Sequence, residues 1–337
     1  MPSRPTRRTL LAAVGLGGWV ALTGCQEQPE SLAEVAPTDG AGRPIRSEAA
    51  DVLVMFRALE RTRSLQMMAA GLLDGAPDSS TVPEIHEALS GQAEVLEELL
   101  RAAEVEPGPG PARRPVADDA AATSASRSGG ADDSTATTGG IPRADRVATL
   151  ADALADDAGA EALAEVAGTS PANLPVLLSL HGQRAAAAVL LRRTPDWPPL
   201  SGPEGAAAVG MLVALREVVY ALEVAAARAS GDERAEHEVV LSSMRTLTDR
   251  LVTLAGPAAP APPLGYGLPG PVDSADARRA LVVRTLEAVP TAVLDGSGGL
   301  VQDEVAVAGC TQVLAEVVSQ AQRLGSPLPA FPGLRTP

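Results

Sequence analysis

The residues best suited to chemistry are the three histidines, His86, His181 and His237. A dinuclear metal centre inside a four-helix bundle needs one Glu from each of two helices. It needs Glu-x-x-His from each of the other two, all pointing inward. Three positions before the histidines stand Pro83, Leu178 and Arg234, so the chain holds no Glu-x-x-His. That leaves a looser metal site, drawing on Glu217, Glu236, His237 or Glu238 with Glu287 or Glu304, since carboxylate and imidazole suit several divalent ions. The other reading of these Glu residues is a solvated helix face. Glu217 falls between Val213 and Ala221 on a largely apolar stripe, with Arg216 and Tyr220 near it. The spacing therefore predicts a buried carboxylate bonded to Tyr220 or an Arg. The same pattern places His237 at a surface or half-buried helix position.

Nucleophilic catalysis has no support. His181 sits in an apolar run with Ser179 two residues away, and residues so spaced on a helix do not face each other. It reads as a satisfied core or boundary histidine. Cys310, in "VAGCTQVL", has no basic neighbour to favour its thiolate and reads as a small packed residue. The chain is expected not to be an enzyme, and no cofactor is predicted beyond that loose divalent-metal site.

The elements that must carry these residues are helical throughout. Apolar positions recur at three- and four-residue steps, predicting helices over 47–73, 84–103, 143–167, 171–193, 206–229, 232–254, 274–294 and 300–324. Pro290 is expected to kink the seventh of these. Residues 105–142 are rich in Gly, Pro, Ser, Thr and Asp and read as a disordered insertion. The stretch "TPDWPPLSGPEG" places four prolines in twelve residues and marks a boundary at 194–204. Each half then reads helix, helix, long crossing, helix, helix, the connectivity of a ferritin-like bundle. The expected fold is all-α: two tandem ferritin-like four-helix bundles, 46–193 and 205–334, with one irregular helical array as the alternative.

The start of the chain reads as an address. Residues 1–8 carry Arg4, Arg7 and Arg8 and no acid; 9–24 are apolar and small, too few for the roughly 20 residues of a membrane span. Arg7-Arg8 resembles the twin-arginine export motif, and Leu22-Thr23-Gly24-Cys25 resembles a bacterial lipobox. Together they predict a signal peptide over 1–24 and a lipidated Cys25, with 25–45 as a flexible tether; the alternative is an uncleaved anchor with an incidental Cys. The partner so implied is the lipid bilayer, and the location is the outer face of the cytoplasmic membrane. With Cys25 lipidated, Cys310 has no partner for a disulfide.

Loss of 1–24 would take the formal charge from −15 to −18, which argues against nucleic acid as a partner. An envelope protein or a small ligand remains. Few aromatic residues, Trp197 the only tryptophan beyond residue 24, argue weakly against carbohydrate or nucleotide recognition.

The segments "LREVVYALEVAAARASGDERAEHEVVLSSMRTL", "GYGLPGPVDS" and "AFPGL" resemble a ferritin-like domain family of high-GC Gram-positive bacteria, best over 203–334. Members of that family are often twin-arginine-exported lipoproteins, and the family has no established activity. The resemblance implies a Glu-His pair on the first helix of this domain and a second His on the next. Glu217 stands at the Glu position, Val218 replaces the paired His, and His237 matches the second. The implied function is a membrane-anchored scaffold or binding protein, or else a degenerate ferritin-like metal-binding protein.

Overall fold

Two helices buried on nearly every side run through the middle of one unit and hold its other helices around them. The computed structural model describes residues 47–74, 81–105 and 142–334, all within the unit Arg46–Pro337. The proposed export signal (Arg7, Arg8), the lipidated Cys25, the tether and nearly all of the 105–142 insertion lie outside the described residues. Nine α-helices occur among the described residues, and no strand. They are α1 Ser47–Ala70, α2 Val82–Ala102, α3 Arg143–Asp156, α4 Ala160–Ala167, α5 Leu174–Leu190, α6 Ala206–Arg228, α7 Gly231–Ala255, α8 Ala275–Asp295 and α9 Glu304–Arg323.

The central pair is α5 and α9. From Leu174 to Ala188 all but Pro175 and Val176 of α5 are buried, and from Ala306 to Ala321 all but Gln312 and Glu316 of α9 are. A helix buried all round must be apolar or small all round, and "LPVLLSLHGQRAAAAVL" is so except at His181, Gln183 and Arg184. The two pack closely because Gly182 faces Leu314: a Cβ on that glycine would lie 2.7 Å from the Leu314 Cβ.

The last four helices form one group. Gly205 at the start of α6 donates to the carbonyl of Leu254 at the end of α7 (3.0 Å), and Gly210 lies against the carbonyl of Ala292 near the end of α8. Helix α6 is thus antiparallel to both. Helices α7 and α8 begin at the same end, where Arg278 forks onto Glu233 with two bonds of 2.7 Å. Helix α9 returns along α8, while α7 and α9 scarcely touch. Asp303 and Ser274 cap α9 and α8 by accepting from Ala306 N (2.9 Å) and Ala277 N (3.2 Å). Pro290 lies inside one helix, Ala275–Asp295.

The first five helices form the other group. Helices α1 and α2 make a hairpin bridged by Arg63–Glu97 (2.9 Å) and Gln66–Ser90 (2.9 Å), and α3 packs on α5. One core runs from Met55 to Phe331 through both groups, across the Pro-rich crossing at 194–204.

The single helix expected over 143–167 is broken at Asp157–Gly159. The carbonyls that would continue it have other partners: Asp157 O meets His181 Nδ1 (2.6 Å) and Ala158 O accepts from Trp197 Nε1 (2.7 Å). The C-terminal tail is tied across both groups. Gln92 donates to Ala330 O (3.0 Å), Ser179 to Pro332 O (2.8 Å), and Leu328 N to Glu84 (3.2 Å). Gly333, at φ 83°, lies where a Cβ would come 2.6 Å from the Pro290 carbonyl carbon.

Candidate functional site

The polar groups of the interior converge on Arg184. It is the only charged residue of α5, and its side chain is wholly buried. A guanidinium carries five N–H donors and stays protonated, so burial demands acceptors on every side. They come from three elements. Asp157, where α3 ends, takes Nη1; Thr62 and the Ala58 carbonyl of α1 take Nη2; Gln92 of α2 takes Nε at 3.3 Å. Thr62 donates in turn to Ala58 O (2.7 Å), and Gln92 donates to Gln183 (2.7 Å). Burial pulls the Arg184 pKa down, and the Asp157 carboxylate opposes that shift.

Above this network opens a cleft of about 580 Å³ between α1, α4 and the α3–α4 turn. His181 and Arg184 line its base. At its rim Arg57 pairs with Glu165, and Arg61 pairs with Asp157 at 3.1 Å. A second cleft, of about 700 Å³, lies between α7, α9 and the crossing that carries Trp197.

The residues singled out from the sequence land apart. Glu217 is exposed, not buried: it and Val213 turn away from the core, which α6 meets through Leu215, Val218, Ala221 and Leu222. Arg216 donates to the Pro260 carbonyl (2.7 Å). Tyr220 is half-buried and packs on Tyr266, ring centroids 5.5 Å apart at 51°. Burial raises the Tyr266 pKa, and the nearby Arg216 guanidinium opposes the rise.

His237 is 1 % exposed, more deeply set than its sequence position implied, and neither ring nitrogen has a hydrogen-bond partner. Of the other carboxylates considered for a metal, Glu236 pairs with Arg279 (3.3 Å), Glu238 with Arg234 (2.8 Å), and Glu287 accepts from Ser326 (2.6 Å). Glu304 opens α9 and is exposed. No three His, Cys, Asp or Glu come together among the described residues in a way that could hold a metal ion. The donor set therefore does not fit a dinuclear metal centre, and at the middle of the first helical group a fixed guanidinium would repel a divalent cation.

Cys310 is buried, its pKa pushed up to about 12 by burial, so it is a packed thiol and not a nucleophile. Sequence reasoning missed Arg184 and Asp157. The available signal was a lone Arg three residues from His181 on an otherwise apolar helix, a charge that had to be paired.

Burial lowers the pKa of both His181 and His237. Well above pH 6.5 both rings are neutral, folded or unfolded, and contribute no pH dependence. Below it the unfolded chain takes up protons that the folded chain refuses, so stability falls as pH falls. The slope is at most about 1.4 kcal/mol per pH unit for each histidine. Urea midpoints should therefore drop between pH 7.5 and 5, and less so in His237→Gln. Midpoints that do not move would refute the lowered pKa values.

No family model, curated protein or solved structure matches this chain.

Proposed function

We propose that the chain is an exported lipoprotein, held by an acylated Cys25 on the outer face of the cytoplasmic membrane, that works by binding and not by catalysis. Its scaffold is read as two ferritin-like four-helix groups fused through α5 and α9. The order of neighbours among α6–α9 supports this reading: α6 lies against α7 and α8, and α8 lies against α9.

The observation that carries the non-catalytic reading is Arg184. Where such a scaffold would gather carboxylates around metal, the first group holds a guanidinium with a neighbour at Nε, Nη1 and Nη2. Bonds closed so completely among the protein's own groups support a structural role for Arg184.

Anchoring is tested by Cys25→Ala. The wild-type chain should sediment with membranes, and the variant should be released or accumulate as an unprocessed precursor. A variant that matures normally and stays membrane-bound would overturn the lipoprotein reading.

A second reading, a degenerate ferritin-like metal-binding protein, draws on the two unpartnered ring nitrogens of buried His237. Elemental analysis of the full chain, purified without chelator or affinity metal, decides it. Near-stoichiometric iron, zinc or manganese lost in His237→Gln favours metal, and its absence favours the binding protein.

A further inference from the structure

The cleft at the seam between α7, α9 and the 194–204 crossing has a ligand chemistry that can be read from its walls. Helices α7 and α9 part there, and the 194–204 crossing lies over the gap. At about 700 Å³ the space falls in the roughly 300–1,000 Å³ range of small-ligand clefts.

Trp197 is its aromatic wall. The indole packs on Ala158, Ala185 and Ala315, and Nε1 donates inward to Ala158 O at 2.7 Å. With its polar edge satisfied from within, the ring offers the cleft only carbon surface.

The remaining walls are apolar at Pro199, Leu200, Val239 and Leu247 and otherwise carry polar groups of both kinds. Glu316 accepts from Ser243 and Gln320 through Oε1, which leaves Oε2 as an acceptor. Gln312 donates to Pro198 O (3.1 Å) and keeps its amide oxygen. On α7, Ser242 and Arg250 line the cleft, and neither side chain has a hydrogen-bond or ion-pair partner among the described residues.

Three ligand classes can be compared on these residues. A wholly apolar ligand would bury Arg250, Gln312 and Glu316 against surface that cannot hydrogen-bond, at a cost for each group. A polyanion would meet the Glu316 carboxylate and a single guanidinium on a strongly acidic chain. A neutral polyhydroxylated ring suits both the apolar and the polar walls: its C–H faces lie on the indole and the aliphatic side chains, and its hydroxyls donate to Glu316 and Gln312 and accept from Arg250 and Ser242.

We propose that the seam cleft binds a neutral saccharide segment, with Trp197 as the stacking platform and Ser242, Arg250, Gln312 and Glu316 as the hydroxyl-reading groups. The scarcity of aromatic residues weighed against carbohydrate in the sequence, but a single ring in the cleft wall meets the requirement. This deepens the reading of the chain as a binding protein, and its test does not depend on anchoring.

The test uses the full chain with Trp19→Phe, in a detergent without a sugar head group, so that Trp197 is the only indole. Cellohexaose, chitohexaose and mannohexaose are titrated while Trp197 emission is followed. At least one should give a saturable change, weakened tenfold or more by Arg250→Ala with Gln312→Ala, whose side chains are exposed or half-buried and lie outside the core. No saturable change with any of the three would overturn the proposal, as would a change that the double variant leaves intact. Saturation by lauric acid in place of the oligosaccharides would overturn it equally. None of these outcomes bears on Cys25, so the saccharide site and the anchor fail or stand separately.

Discussion

Asp157→Ala should destabilise the fold by about 3–5 kcal/mol, the range found when one partner of a buried ion pair is removed and the other charge is left behind. The size follows from the contrast between the partners' surroundings. Arg184 is fully buried and cannot shed its proton into a neutral form at accessible pH, so its charge stays inside whatever happens around it. Among the described residues Asp157 is the only carboxylate bonded to it, and it also receives Arg61 from the rim. Without Asp157 the guanidinium retains only neutral acceptors: Thr62, the Ala58 carbonyl and Gln92.

Arg184→Met should cost less, because it removes the charge and leaves Asp157 with Arg61 and a route to solvent along the cleft. Urea denaturation of the full chain, followed by far-ultraviolet circular dichroism, separates the two. If Asp157→Ala lost less than Arg184→Met, the pair would not be the charge centre described here. The double variant Asp157→Leu/Arg184→Met should recover much of the loss, since buried ion pairs replaced by apolar side chains of similar volume are often neutral in stability.

The helices themselves were legible because their signals are local. In α2 the stripe Ile85, Leu89, Leu96 and Leu100 is buried, as three- and four-residue spacing requires, while Ala103, expected on the same stripe, lies exposed just past the helix end. Helices α6 to α9 likewise start and stop within a few residues of where Gly, Ser, Asp and Pro place their ends. The break between α3 and α4 was not legible. Nothing in "ADALADDAGAEALAEVA" forbids a continuous helix. It is interrupted because His181 and Trp197, 24 and 39 residues further on, claim the carbonyls of Asp157 and Ala158.

Glu217 failed for a related reason. Its neighbours Val213 and Ala221 suggested an apolar stripe, but Val213 is itself exposed, and the true stripe is offset to Met211, Leu215, Val218 and Leu222. In a helix this rich in Ala and Val, periodicity alone does not choose between adjacent stripes. The polar centre was legible only in outline. "LHGQRAAAAVL" declares that an Arg and a His share one helix face, but the partners that satisfy them come from α1, α2 and the α3–α4 turn.

Gly309→Ala should be the other costly change, and its effect reaches the seam. The glycine lies in α9 where the 194–204 crossing passes over the helix, so closely that a Cβ would overlap the Gly202 carbonyl oxygen and press on the Leu200 side chain. The obstacle at Gly202 is backbone, which cannot rotate aside as a side-chain tip can. Either α9 shifts against α5, which meets it through the close Gly182–Leu314 contact, or the crossing lifts. Overpacking of this kind costs typically 1–3 kcal/mol, and occasionally more where the backbone must move.

The crossing is the softer element, because few of its polar groups are fixed: Gln312 to Pro198 O and Trp197 to Ala158 O are its ties to the helices on either side. Lifting it would draw Trp197 off Ala158, Ala185 and Ala315 and expose the indole to water. The expected result is therefore a lower urea midpoint together with red-shifted Trp197 emission in the Trp19→Phe background. Gly296→Ala, placed where a Cβ meets nothing and φ is −97°, serves as a control that should leave both readings unchanged. A Gly309→Ala protein with wild-type stability and emission would mean that the crossing does not rest on α9 as described, and the wall it gives the saccharide cleft would go with it.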